Sequence, residues 1–131
     1  MNISLVMIVG AGGFLGTIAR FLAVQFIDSR ISSNFPLATL VVNLSGCFLI
    51  GLIYGLYGLN ANEQTLGRNW KFFLTTGFCG GYTTFSAFAL ENFMLLEQKM
   101  IPPSLLYVII SVVAGIAATW IGIFIGRSIN A

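Results

Sequence analysis

The sequence has no histidine, only two cysteines, and few charges of either sign. Each shortage excludes something. Without histidine, and with Cys47 and Cys79 set in apolar stretches with no CxxC spacing, neither a zinc site nor a disulfide framework is supported. The two thiols read as small residues buried in apolar surroundings. The net charge of +2 carries no clustered Lys/Arg run, so nucleic-acid binding has no electrostatic footprint. The four acidic residues are scattered and no nucleophile–base pair is visible, which argues against an enzyme. Charged side chains make up 8% of the chain, against about 25% in a soluble domain. Ten charges cannot solvate the surface of a domain this small, so its solvent is largely lipid.

What the chain does have is apolar length. Four stretches, about 3–27, 37–59, 72–96 and 104–125, each have the roughly 20 residues that cross a bilayer as helix. The connections "DSRISSNFP", "NANEQTLGRNWK" and "EQKMIPP" are short and polar, with Pro36 and the pair Pro102-Pro103 placed to open helices. Residues 1–131 read as a single all-α membrane domain of four transmembrane helices, with both termini on one side. The N-terminal run lacks a basic leader and is too long for a cleavable signal, so the first span is expected to be retained. Positive charge is nearly balanced. Arg68, Lys71, Arg127 and the amino group lie on the terminal side, and Arg20, Arg30 and Lys99 towards the other. Loop charge sets orientation, so this balance leaves a single weakly biased orientation or insertion both ways, which would permit an antiparallel homodimer.

"VMIVGAGGFLG" (6–16) imitates a dinucleotide-binding fingerprint, with Asp28 roughly where a ribose-binding acid is expected. The context refutes it, because three more membrane-length segments follow instead of a βαβ fold. Gly12 and Gly16 instead form a small-xxx-small pair, as do Gly51/Gly55 and Gly122/Gly126, a spacing that lets helix backbones approach closely in lipid.

Polar groups inside apolar spans are candidate sites. Asn43 lies in the second span and must use its amide, either on another helix or on a ligand. Glu91 lies in the third and must line water, pair or stay protonated. Tyr107, Ser111, Gly115 and Thr119 recur every fourth residue in the last, as helix glue or as a polar track. Arg20 either snorkels to headgroups or attracts an anion into a vestibule. The third span also carries "GFCGGYTTFSAF" (77–88). Gly80-Gly81 followed by Thr83-Thr84 is a poor helix interior. Carbonyls freed there must find a partner chain, water or an ion, and suit a hard cation such as Na⁺; a simple glycine kink is the alternative. Beyond it Phe85, Phe88 and Glu91 share a helix face. The phenylalanines are core or lipid-facing residues, or their electropositive ring edges face a small anion.

Over essentially the whole chain the sequence resembles the Fluc (CrcB) family of small bacterial fluoride channels. The resemblance rests on "GGFLGTIARF" (12–21), "TLVVNLSGCFLIG" (39–51) and above all "TTGFCGGYTTFSAF" (75–88). It implies an antiparallel, dual-topology homodimer with two anion pores in the bacterial inner membrane, passing fluoride passively, and a third helix broken near mid-membrane. It matches the pore residues to Asn43, Phe85 and Phe88, the pore-side hydroxyls to Thr84 and Ser86, the continuing polar track to Glu91, Tyr107 and Ser111, and the vestibule arginine to Arg20. A central structural Na⁺ would take backbone carbonyls of Gly80 and Thr83. Gly115 stands where relatives often carry a further hydroxyl, so the far end of the path is not fixed by the resemblance. Two rival readings are a coupled transporter of small drug-like cations centred on Glu91, and a membrane subunit that carries nothing by itself.

Overall fold

The computed structural model describes residues 2–57 and 65–129, and the first half of the connection at 58–71 lies outside them. The described residues form helices and short links, with no strand among them. They are α1 (Ile3–Arg30), α2 (Leu37–Tyr57), α3 (Thr65–Phe72), a π-helical segment (Phe73–Cys79), the single turn α4 (Gly80–Tyr82), α5 (Phe85–Glu97) and α6 (Ile101–Ile129). Three of them, α1, α2 and α6, are continuous helices long and apolar enough to cross a membrane. The third apolar stretch is divided among α3, the π segment, α4 and α5.

Local chemistry sets the ends. The Asn2 side chain accepts from the Leu5 N–H and caps α1. Pro36 immediately precedes α2, and its carbonyl accepts from the Leu40 N–H. Pro102 and Pro103 lie inside the first turn of α6, where N–H groups have no intrahelical partner to lose. Between α5 and α6, Lys99 is left-handed at φ 58°. The Met100 N–H reaches the Leu95 carbonyl and the Lys99 N–H the Leu96 carbonyl, a Schellman closure made without glycine.

Helix α2 is the inner one: 33% of its most apolar window is buried, against 11% for α1 and for α6. It packs along α6, while α1 packs along the π segment and α4. Both seams are built from the small-residue pairs. A Cβ on Gly51 would collide with the Thr119 carbonyl, one on Gly122 with the Phe48 carbonyl, and one on Gly16 with the Phe78 carbonyl. Gly55 and Gly126 approach each other in the same way. Close approach maximises dispersion where lipid provides no hydrophobic drive between helices. The large apolar side chains, among them Phe14, Phe21, Ile116, Trp120 and Phe124, are exposed on the outer faces, as a lipid-solvated chain requires. The small interior cluster is Leu40, Leu95 and Tyr107, with Phe35, Leu44 and Phe88 packed around it.

Candidate functional site

The site starts where the backbone leaves the helix. Thr83 (φ −83°, ψ 159°) and Thr84 (φ −149°, ψ 121°) are extended, which releases main-chain groups from the i→i−4 ladder. Side chains from two other helices take up those groups. The Asn43 amide of α2 grips Thr84 at both ends: Oδ1 accepts from the Thr84 N–H at 2.8 Å and Nδ2 donates to the Thr84 carbonyl at 3.0 Å. The Arg20 guanidinium of α1 donates to the Thr83 carbonyl at 3.1 Å. Thr83 also bonds back to the Cys79 carbonyl through its N–H and its hydroxyl. The Thr84 hydroxyl then caps α5 by accepting from the Ala87 N–H, and it lies 3.2 Å from the Ser86 hydroxyl.

One donor of the half-buried Arg20 thus holds the extended segment. Asn43 makes the interhelical bonds that its burial demanded. Two donors serve an amide nitrogen, so one N–H remains after the Thr84 bond. The need for an ion or a partner at the freed groups, expected from lipid's inability to satisfy them, is met in part within one chain. Gly80, by contrast, is exposed at the surface of the protomer.

Capping by Thr84 starts α5 so that the two phenylalanine rings stand 5.5 Å apart. Phe88 packs against Tyr107 of α6 at 5.0 Å between centroids. Phe85, beside the Phe88 ring, is 79% exposed. One turn beyond Phe88, Glu91 receives two short hydroxyl bonds. The Tyr107 hydroxyl donates to Oε2 at 2.7 Å and the Thr39 hydroxyl to Oε1 at 2.6 Å. Thr39 was not singled out from the sequence, although it sits one turn before Asn43 on the same face of α2, and that spacing was the available signal.

Beside the rings lies a cavity of about 560 Å³, bordered by Asn43, Thr83, Thr84, Phe85, Phe88 and Ser111. The Ser111 hydroxyl is buried and has no hydrogen-bond partner among the described residues. Cys47 and Cys79 are free thiols on the wall of the same cavity. The polar face of α6 divides in function along its length. Ser111 borders the cavity and Tyr107 is buried against Phe88 and Glu91, whereas the Thr119 hydroxyl donates to the Cys47 and Gly115 carbonyls and serves packing. Among the described residues no group of three or more His, Cys, Asp or Glu side chains is placed to hold a metal ion.

The geometry is therefore a row of ring edges and hydroxyl donors beside a side-chain-clamped break, inside a bundle with several membrane-spanning helices. A family model described as "CrcB-like protein, Camphor Resistance (CrcB)" matches residues 7–123. A protein of Flavobacterium psychrophilum named "Fluoride-specific ion channel FluC" is 42% identical over 121 residues, 92% of this chain and 95% of that one. Proteins with the same name from Azobacteroides pseudotrichonymphae and Pseudomonas putida are 44% identical over 117 residues (89% of this chain, 91% of the relative) and 41% identical over 125 residues (95% and 98%). The relatives are named as channels, not enzymes. With a family model covering most of its length and relatives above 40% identity end to end, this multi-pass membrane chain belongs to the CrcB-like family.

Proposed function

We propose that the protein is a passive fluoride-selective channel of the bacterial inner membrane, which lets the cell shed toxic fluoride. The observation that carries this reading is the continuous run from Phe85 through Phe88 to Tyr107 and Glu91, with Asn43, Thr84, Ser86 and Ser111 alongside. Fluoride holds its water tightly. A path for it must replace hydration step by step with donors and electropositive ring edges. The remaining Asn43 N–H, the hydroxyl of Ser111 and the ring edges are such donors. Arg20 adds positive charge where the path meets the break.

Phe85 supports assembly as an antiparallel dual-topology homodimer. A pore ring left 79% exposed in its own chain would gain its second wall from another copy, and the nearly balanced basic residues permit insertion in both orientations. In that arrangement the interruption at Thr83 and Thr84 falls near the membrane centre. The donor set also fits a shared Na⁺. Gly80 is exposed, and the Thr83 carbonyl retains a lone pair beside its bond from Arg20. Two carbonyls per chain make half a cage of hard oxygens, which two chains would complete. Bound there, Na⁺ supplies positive charge that neutralises the gathered carbonyl dipoles.

The cation-transporter reading rests on Glu91. Both of its oxygens accept a hydroxyl bond within the chain, so a cationic substrate would share them with Thr39 and Tyr107. The deciding experiment is efflux of fluoride and of chloride from liposomes holding the purified protein, followed with ion-selective electrodes. Fast fluoride loss with negligible chloride loss is expected, and a folded protein that releases neither ion overturns the reading. A C-terminal topology reporter giving signal on both sides checks dual insertion.

A further inference from the structure

Next to the Glu91–Tyr107 pair lies a second polar contact that the anion path does not use. Asn92 and Ser104 are almost completely buried, 9% and 4% exposed. The Ser104 hydroxyl donates to Asn92 Oδ1 at 3.0 Å, and Asn92 Nδ2 donates to the Phe88 carbonyl at 3.1 Å. Ser104 stands three residues before Tyr107 on α6, and Asn92 follows Glu91 on α5. The contacts close a ring: Phe88 carbonyl, Asn92, Ser104, Tyr107, and back to the Phe88 ring at 5.0 Å.

The glycine seam fixes α6 against α2, which leaves the lie of α5 on α6 to be set. Helix α6 packs mainly on α2 and only sparsely on α5, and the turn from Gln98 to Met100 is its sole covalent tie to α5. A one-residue slip of α5 against α6 would turn Glu91 about 100° away from Tyr107. An apolar pair at 92 and 104 would fill the space at no polar desolvation penalty, whereas a buried polar pair specifies register.

We propose that Asn92 and Ser104 are positioning residues that lock α6 in register with α5, and so set the spacing between the Phe88 ring and the Tyr107–Glu91 hydrogen bond on which anion discrimination depends. This rests on the channel reading, and it gives the two residues a role without contact with the ion.

The test is the double variant Asn92→Leu/Ser104→Ala, which replaces the polar pair by an apolar one. Its thermal unfolding should match the unmodified protein. Its fluoride efflux per folded molecule should fall roughly tenfold, the scale of losing one buried hydrogen bond, and its preference for fluoride over chloride should narrow. The infrared carboxyl band of Glu91, identified by subtraction of the Glu91→Gln spectrum, should shift, and Ser104→Thr should keep both flux and band. A double variant with unchanged flux, selectivity and Glu91 band overturns the proposal, because a merely structural pair is replaceable. If the double variant does not fold, Ser104→Ala, measured per folded molecule, is judged by the same outcomes. The infrared band separates the two readings: a protein that carries no fluoride sinks the channel function, while the band still decides whether this pair sets register.

Discussion

The two ends of α2 solve the same problem in opposite ways. Towards its C-terminus, Gly51 and Gly55 remove side chains so that α2 and α6 meet backbone to backbone. Towards its N-terminus, Thr39 and Asn43 send polar side chains across to an interrupted neighbour. The glycine end needs little from its surroundings beyond space, the Thr119 hydroxyl on the Cys47 carbonyl being the hydrogen bond that crosses the seam there. The polar end exists because two residues opposite it have left theirs. Lipid tolerates both, but only the second clamps main-chain groups that have left a helix.

The largest expected effect is at the glycine end. Gly122→Leu drives a branched side chain into the backbone around Phe48 and should destabilise the bundle by roughly 3 kcal/mol or more, read as loss of monodisperse protein after detergent extraction. A well-folded Gly122→Leu would show that this seam is looser than its contacts. Next comes Asn43→Ala, which strands the N–H and the carbonyl of Thr84. Leaving buried groups unpaired costs about 1–3 kcal/mol. Fluoride efflux should vanish, and hydrogen exchange at the Thr84 amide should accelerate while the α2–α6 seam keeps its protection. Equal acceleration along both ends of α2 would erase the contrast drawn above.

Tyr107→Phe is gentler. It removes one of the two hydroxyl bonds to Glu91 and leaves the ring contact with Phe88. A loss of about 1 kcal/mol in stability and a several-fold slower efflux are expected, with stopped-flow fluoride release as the check. The smallest effect lies outside the comparison. Lys99→Gly should raise stability by roughly 0.5–1 kcal/mol, because glycine adopts the left-handed conformation without a Cβ clash. An unchanged melting temperature would mean that the lysine is held there by contacts of its own.

Much of this was legible in the residues. Apolar run length marked α1, α2 and α6, and the small-residue pairs marked their seams. The departure from helix at Thr83 and Thr84 coincides with a glycine pair and two β-branched residues. The π segment was not legible. "FLTTGFC" has no composition that separates i→i−5 from i→i−4 bonding, and the slip is tied to tertiary contact: Gly12 and Gly77 nearly touch, and the Gly80 N–H reaches back to the Thr75 carbonyl. Candidate polar residues were visible as types, but their partners were not. A sequence shows that Asn43 must bond to something. That the something is the backbone of Thr84, and that Arg20 bonds Thr83, depends on how α1 and α2 flank the third stretch. Thr39, Asn92 and Ser104 escaped notice because short polar residues are common near helix ends, and only pairing gives them meaning.

The clamp by Asn43 and Arg20 also bears on biogenesis. A nascent chain with an interrupted span would ordinarily carry exposed polar backbone into the bilayer and depend on rapid pairing to survive. Here the groups freed at Thr83 and Thr84 are occupied from within the same polypeptide. A newly inserted chain can therefore leave the translocon with these backbone groups already paired, without waiting for another chain to supply partners.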